Sequence, residues 1–148
     1  MDKSVQARAQ EGIDHFVQTM GKMPVQLKTL SEMAPEVFAG YYDMRKWLMR
    51  DPPEGHLPIK YKHLIFSLID VVLGNDPGAV NHARAGLRRG LTIGELLEGM
   101  VQVHMTAGVS VYGRSGYKVL DEVLASKEAK AQMRAAKKPR RVARRKKA

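Results

Sequence analysis

Apolar positions in the first 126 residues recur at intervals of three and four, the spacing of one helix face, and nowhere alternate as a half-buried strand would. Ala9, Ile13, Phe16, Val17 and Met20 predict a first amphipathic helix stopped by Gly21. Pro24 opens a short second helix, Val25 to about Met33, and Pro35 a third, with Val37, Phe38, Tyr41, Met44 and Leu48 on one side. The breaker cluster DPPEGHLP, Asp51 to Pro58, reads as a loop. LIFSLIDVVL, Leu64 to Leu73, is apolar all round, which predicts a central helix covered on several sides. Composition alone also permits a buried strand; the polar lead-in from Ile59 to His63 lengthens the element and favours helix, and Gly74 ends it. Asp76-Pro77 starts the next helix, which runs to about Arg89 before Gly90. Thr92 and Glu95 have capping-box spacing, and Ile93, Leu96, Leu97, Met100 and Val101 form the stripe of the helix behind them. Gly108 interrupts it, and a last helix from Val109 to Ala125 is loosened by Gly113 and Gly116.

Composition refines this all-α reading. The 148 residues are 44% hydrophobic, enough for a packed core. With no Cys, disulfides, thiolate metal sites and thiol nucleophiles are excluded together. No apolar run reaches the ~18 residues of a membrane span. The start, MDKSVQARAQEG, lacks the apolar core of a secretory signal, so a cytoplasmic protein without membrane contact is expected. The net charge of +10 lies entirely in residues 127–148, which hold eleven Lys or Arg and one acid, Glu128. The chain therefore divides into a neutral helical domain, 1–126, and a basic, largely flexible tail, 127–148, whose stretch from Lys127 to Ala136 can extend a helix. Such a tail is either a solvated appendage or an arm that binds nucleic acid or another polyanion by counterion release. Nothing in the body resembles a base-reading fold, which favours the first.

Residues 80–108, VNHARAGLRRGLTIGELLEGMVQVHMTAG, resemble the core signature of the carboxymuconolactone decarboxylase family, H-x-R-x-A-L-x-x-G-x-T-x-x-E-[IL] followed by an apolar helix ending in A-G. His82, Arg84, Leu87, Gly90, Thr92, Glu95, Leu96, Ala107 and Gly108 fit in order, with Gly86 where the signature has Ala. KMPVQLKTLSEMAPEVFAGYYDM and LPIKYKHLIFSLIDVVLG resemble the two segments that precede it. The resemblance covers about residues 20–125. It implies an AhpD-like orthogonal bundle of about six to seven helices that assembles as a trimer or hexamer, or sometimes a dimer. A helix apolar all round and nine Met in so short a chain are themselves easier to bury with a neighbour's help.

The family's peroxidase branch carries E-x11-C-x2-C-x3-H. Anchored on His82, that motif puts its two Cys at Asn75 and Gly78 and its Glu at His63, so dithiol peroxide reduction is excluded. The decarboxylase branch lacks the Cys pair and uses no metal or organic cofactor. Its substrate, 4-carboxymuconolactone, is its own electron sink, because a C=C bond conjugated to the lactone carbonyl accepts electrons as CO2 leaves. The resemblance thus implies a cofactor-independent lyase acting on a small carboxylated lactone or enone. The contrasting reading is a non-catalytic oligomeric scaffold or small-ligand binder whose tail docks on a polyanion.

His82, on a stripe of small residues with Ala79, Ala83 and Gly86, is the first catalytic candidate, and His63 the second: two imidazoles facing one pocket, one a general acid, one holding an anion. His63 could equally sit exposed beside Lys60 and Lys62. Asp70, seven residues on, is the lone charge in Leu64 to Leu73 and needs a partner if buried. Arg84 could hold a substrate carboxylate or pair with an acid, and His104 could line a site or pack in a core. His63, His82, Asp70, Arg84 and His104 therefore form the candidate site, with Glu95 assigned to capping. His15 and His56 have no supporting context, and with no HxxxH or HxH a metal site is not expected.

Overall fold

A computed structural model describes residues 3–137, all in helices and connecting turns. The order is α1 (Lys3–Met20), α2 (Val25–Met33), α3 (Pro35–Leu48), α4 (Ile59–Leu73), α5 (Asp76–Arg88), α6 (Ile93–Ala107), α7 (Val109–Val111), a π-helical turn (Tyr112–Gly116), α8 (Tyr117–Ala125) and α9 (Lys127–Lys137). Among the described residues no helix is long and apolar enough to cross a membrane.

Local chemistry sets the ends. Gly74, at φ 75°, closes α4 in the left-handed conformation that a side chain would disfavour. Asn75 caps α5 by accepting a hydrogen bond from the Gly78 N–H, and Pro77 occupies its first turn. The capping box is formed: Thr92 Oγ1 accepts from the Glu95 N–H, and the Glu95 carboxylate accepts from the Thr92 N–H.

Two apolar cores result. One gathers Ala9, Phe16 and Phe38 from α1 and α3, with Leu27 and Leu30 of α2 packed on it. The larger is built on α4, α5, α6, α8 and α9 and includes Val71, Ala83, Leu91, Leu96, Met100, Val119 and Ala129. The small-residue face of α5 lets α4 lie close: a Cβ on Gly86 would fall 2.9 Å from Leu91 Cδ2 and 3.4 Å from the Cβ of His63.

Several expectations need correction. In α3 the buried face carries Phe38, Ala39, Tyr42 and Arg45, while Val37 and Met44 are exposed, so the apolar stripe is rotated from the one read in the sequence. The segment Leu64 to Leu73 is not covered on all sides by its own chain: Val71 is wholly buried, yet Ile65, Ile69, Val72 and Leu73 are 42–74% exposed. The helix after Gly108 is divided by the π turn, where a Cβ on Gly116 would meet the Tyr112 ring at 2.7 Å. The chain past Ser126 forms α9, which seals the larger core with Ala129. Gln132 of α9 bridges the α5–α6 turn, donating to the Leu91 carbonyl and accepting from the Ile93 N–H. Packing thus continues through the boundary drawn at residue 126; the rest of the basic tail, residues 138–148, lies outside the described residues.

Candidate active site

His63 stands in the first turns of α4 and His82 in the middle of α5, and their Nδ1 atoms are 3.1 Å apart. One ring donates and the other accepts, so Nε2 of His82 is the nitrogen left for a ligand. His63 is fully buried, and its Nε2 has no hydrogen-bond partner among the described residues. Burial, with the charges of His82 and Arg45 behind it, holds His63 down at about 3. Burial, then the Arg45 charge, holds His82 down at about 4. Both rings are neutral at pH 7, the form in which an imidazole can accept a proton.

His82 opens onto a pocket of about 590 Å³ where the two cores meet. Its walls come from α1 (Phe16, Met20), the turn through Lys22, the start of α2, Tyr41 and Arg45 of α3, Phe66 and Asp70 of α4, and Asn81 beside His82 on α5. The Phe66 ring stacks on the His82 imidazole, with centroids 4.7 Å apart and planes 25° from parallel. On the pocket wall Asp70 accepts a hydrogen bond from Asn75 at 2.9 Å. Burial raises its carboxyl above the usual range against that bond.

The residue missed in the sequence is Arg45. It is 6% exposed, it lines the pocket, and neither Nε nor Nη2 has a hydrogen-bond partner among the described residues. Its guanidinium lies over the Phe16 ring at 4.7 Å and within 5.9 Å of the Phe66 centroid. A signal was present: Arg45 follows Phe38 by seven residues and Tyr42 by three, so a charge sits in register on a buried face.

The remaining candidates separate. His63 does not face the pocket; it stands behind His82. Arg84 is outside the pocket and pairs with Glu128 of α9 at 3.2 Å, beside Arg88 at 2.8 Å. Burial would raise Glu128, but hydrogen bonds from the backbone, Arg84 and Arg88 outweigh it and hold the carboxyl at about 2. His104 is exposed, with its ring edge-on to Tyr112 at 5.5 Å and no place in the pocket. Its helical spacing belongs to the outer face of α6, where Leu97 and Val101 are also half exposed. Glu95 is a cap, as read, and also takes Lys60 and the Tyr61 hydroxyl. Among the described residues no three His, Asp or Glu side chains converge as a metal site would require.

A helical bundle with one imidazole lining a pocket, a second buried behind it and no thiol leaves no dithiol chemistry to the site. A crystal structure of a provisionally named carboxymuconolactone decarboxylase from Burkholderia xenovorans LB400 matches the fold with a TM-score of 0.77 and 32% identity, over 89% of this chain and 98% of that one. The chain belongs to the carboxymuconolactone decarboxylase family. No family model and no curated protein matches the sequence.

Proposed function

We propose that this protein is a cofactor-independent lyase of its family, decarboxylating a small carboxylated lactone or enone, with His82 as the proton-transferring group. The observation that carries the reading is the pocket-lining imidazole of His82, backed through Nδ1 by the buried His63. When His82 donates through Nδ1, its Nε2 holds a lone pair that can take up a proton and give it back. His63 is a positioning residue that holds the ring and its tautomer.

The chemistry balances with these groups alone. The bond from carbon to the carboxylate breaks, and its electron pair moves through the C=C bond to the lactone carbonyl oxygen. CO2 leaves, and a proton is added to carbon. The proton consumed comes from solvent by way of His82, which returns to neutral. Phe16, Phe66 and Tyr41 supply an apolar part of the wall against which the unsaturated ring can lie. Purified protein without added metal or cofactor is expected to release CO2 from 4-carboxymuconolactone or a related carboxylated lactone. Absence of release across such a series overturns the reading.

A docking role for the basic segment is favoured by one observation: Lys127, Lys130 and Arg134 are exposed along α9. Because α9 seals the core, the test exchanges these three exposed cations for Gln and also removes the chain after Lys137. Salt-sensitive retention of DNA or RNA that disappears in this variant supports the role, and unchanged retention rejects it.

A further inference from the structure

We propose that Arg45 is the anion-binding residue of the pocket and takes a carboxylate of the ligand, so that the site selects small planar carboxylates over their neutral isosteres. The inference rests on the pocket of the preceding section being the ligand site, but not on turnover.

A guanidinium carries five N–H donors and a charge that it never gives up. Removing it from water without an acceptor is among the most expensive placements a side chain can have. Arg45 is close to that position: nearly all its surface is covered, Nε and Nη2 have no partner, and no carboxylate pairs with it in the described structure. The Tyr41 hydroxyl alone favours its charged form, through charge and a hydrogen bond, while burial opposes it. The acid on the pocket wall, Asp70, is engaged with Asn75, and Glu11 of α1 with Lys46 and Tyr42. Nε and Nη2, along one edge of the guanidinium, are closed off from solvent, so a carboxylate would meet the cation where Arg45 borders the pocket. The face of the cation rests on Phe16, which fixes the plane of the guanidinium.

Planarity of the ligand follows from the walls. Phe66 borders both groups, 5.9 Å from the Arg45 guanidinium carbon and stacked on the His82 imidazole. A small, flat, unsaturated carboxylate in this aromatic-walled pocket can meet Arg45 with its carboxylate and His82 with its unsaturated end. In a decarboxylation, a cation holding the departing carboxylate would stabilise the ground state more than the transition state. Arg45 is therefore suited to a carboxylate that stays on the molecule, leaving the reacting carbon to His82.

The test measures binding alone, with 2-furoate as the probe and 2-furamide as its neutral isostere, by calorimetry on the full chain. Wild-type protein is expected to bind 2-furoate about 10- to 100-fold more tightly than 2-furamide. In Arg45→Met that preference vanishes while 2-furamide binding is retained, and Arg45→Lys keeps part of it. Because Met removes an uncompensated buried charge, Arg45→Met is expected to melt no lower than wild type. Equal affinity for the two probes in wild type, or an undiminished furoate preference in Arg45→Met or Arg45→Lys, overturns the proposal. If the preference follows Arg45 but no lactone is turned over, the lyase reading fails and this one stands.

Discussion

At the scale of single residues, the site is a set of charges and dipoles held in places that disfavour charge. His82 faces Arg45 from α3, His63 and Asp70 from α4, and Lys22 across the pocket mouth. The two imidazoles titrate near 3 and 4 rather than 6.5, so between pH 6.5 and about 4 the unfolded chain binds more protons than the folded one. Stability therefore falls as pH is lowered through that window, by roughly 2 kcal/mol per imidazole at pH 5. Asp70, shifted upward, acts in the opposite sense. Denaturant unfolding at pH 7 and pH 5 should show the loss, and the double variant His63→Gln/His82→Gln should flatten it. A slope unchanged by the double variant would place the proton uptake elsewhere. His82 was readable from the signature, and His63 from its place in the rival motif. Arg45 was missed although its spacing from Phe38 and Tyr42 marks it, because the stripe on α3 was read one face over, through Val37, Tyr41 and Met44.

At the scale of elements, the site depends on how closely α4 and α5 approach. Capping signals made these boundaries legible: Gly74, Asp76-Pro77 and the Thr92–Glu95 box all stand where the chain chemistry requires them. Periodicity does not report the depth at which two helices meet, so the burial of His63 could not be read. Gly86 sets that depth, since a Cβ there would press on Leu91 and His63. Gly86→Val is expected to destabilise the fold by about 1–3 kcal/mol and to separate the imidazoles. Denaturant unfolding, with histidine NMR for the pair, checks both. An intact pair at wild-type stability would show that the contact yields freely. The segment beginning at Lys127 reads as charged and polar in sequence, and only its tertiary contacts reveal Ala129 and Gln132 as structural.

For the whole molecule, the exposed flank is as informative as the pocket. Ile65, Ile69, Val72 and Leu73 of α4, with Leu97, Val101 and Met105 of α6, remain 42–78% exposed in the single chain. The all-round apolar character of Leu64 to Leu73 signalled helix, and one chain leaves part of that surface uncovered. We propose that a second copy covers this flank, as the assembly implied by the sequence resemblance would. Sedimentation of the wild type should then show an oligomer, and Ile69→Asp should shift it to smaller species. A wild-type monomer would remove this element of the account.

The proposed chemistry rests on one atom, the Nε2 of His82, which the buried Nδ1 contact leaves for a ligand in the pocket. The most direct measurement is kcat/KM for CO2 release from 4-carboxymuconolactone by wild-type protein and by His82→Ala, both verified as folded. A loss of about 100-fold or more in the variant is the result predicted. Equal rates would contradict the assignment of proton transfer to His82.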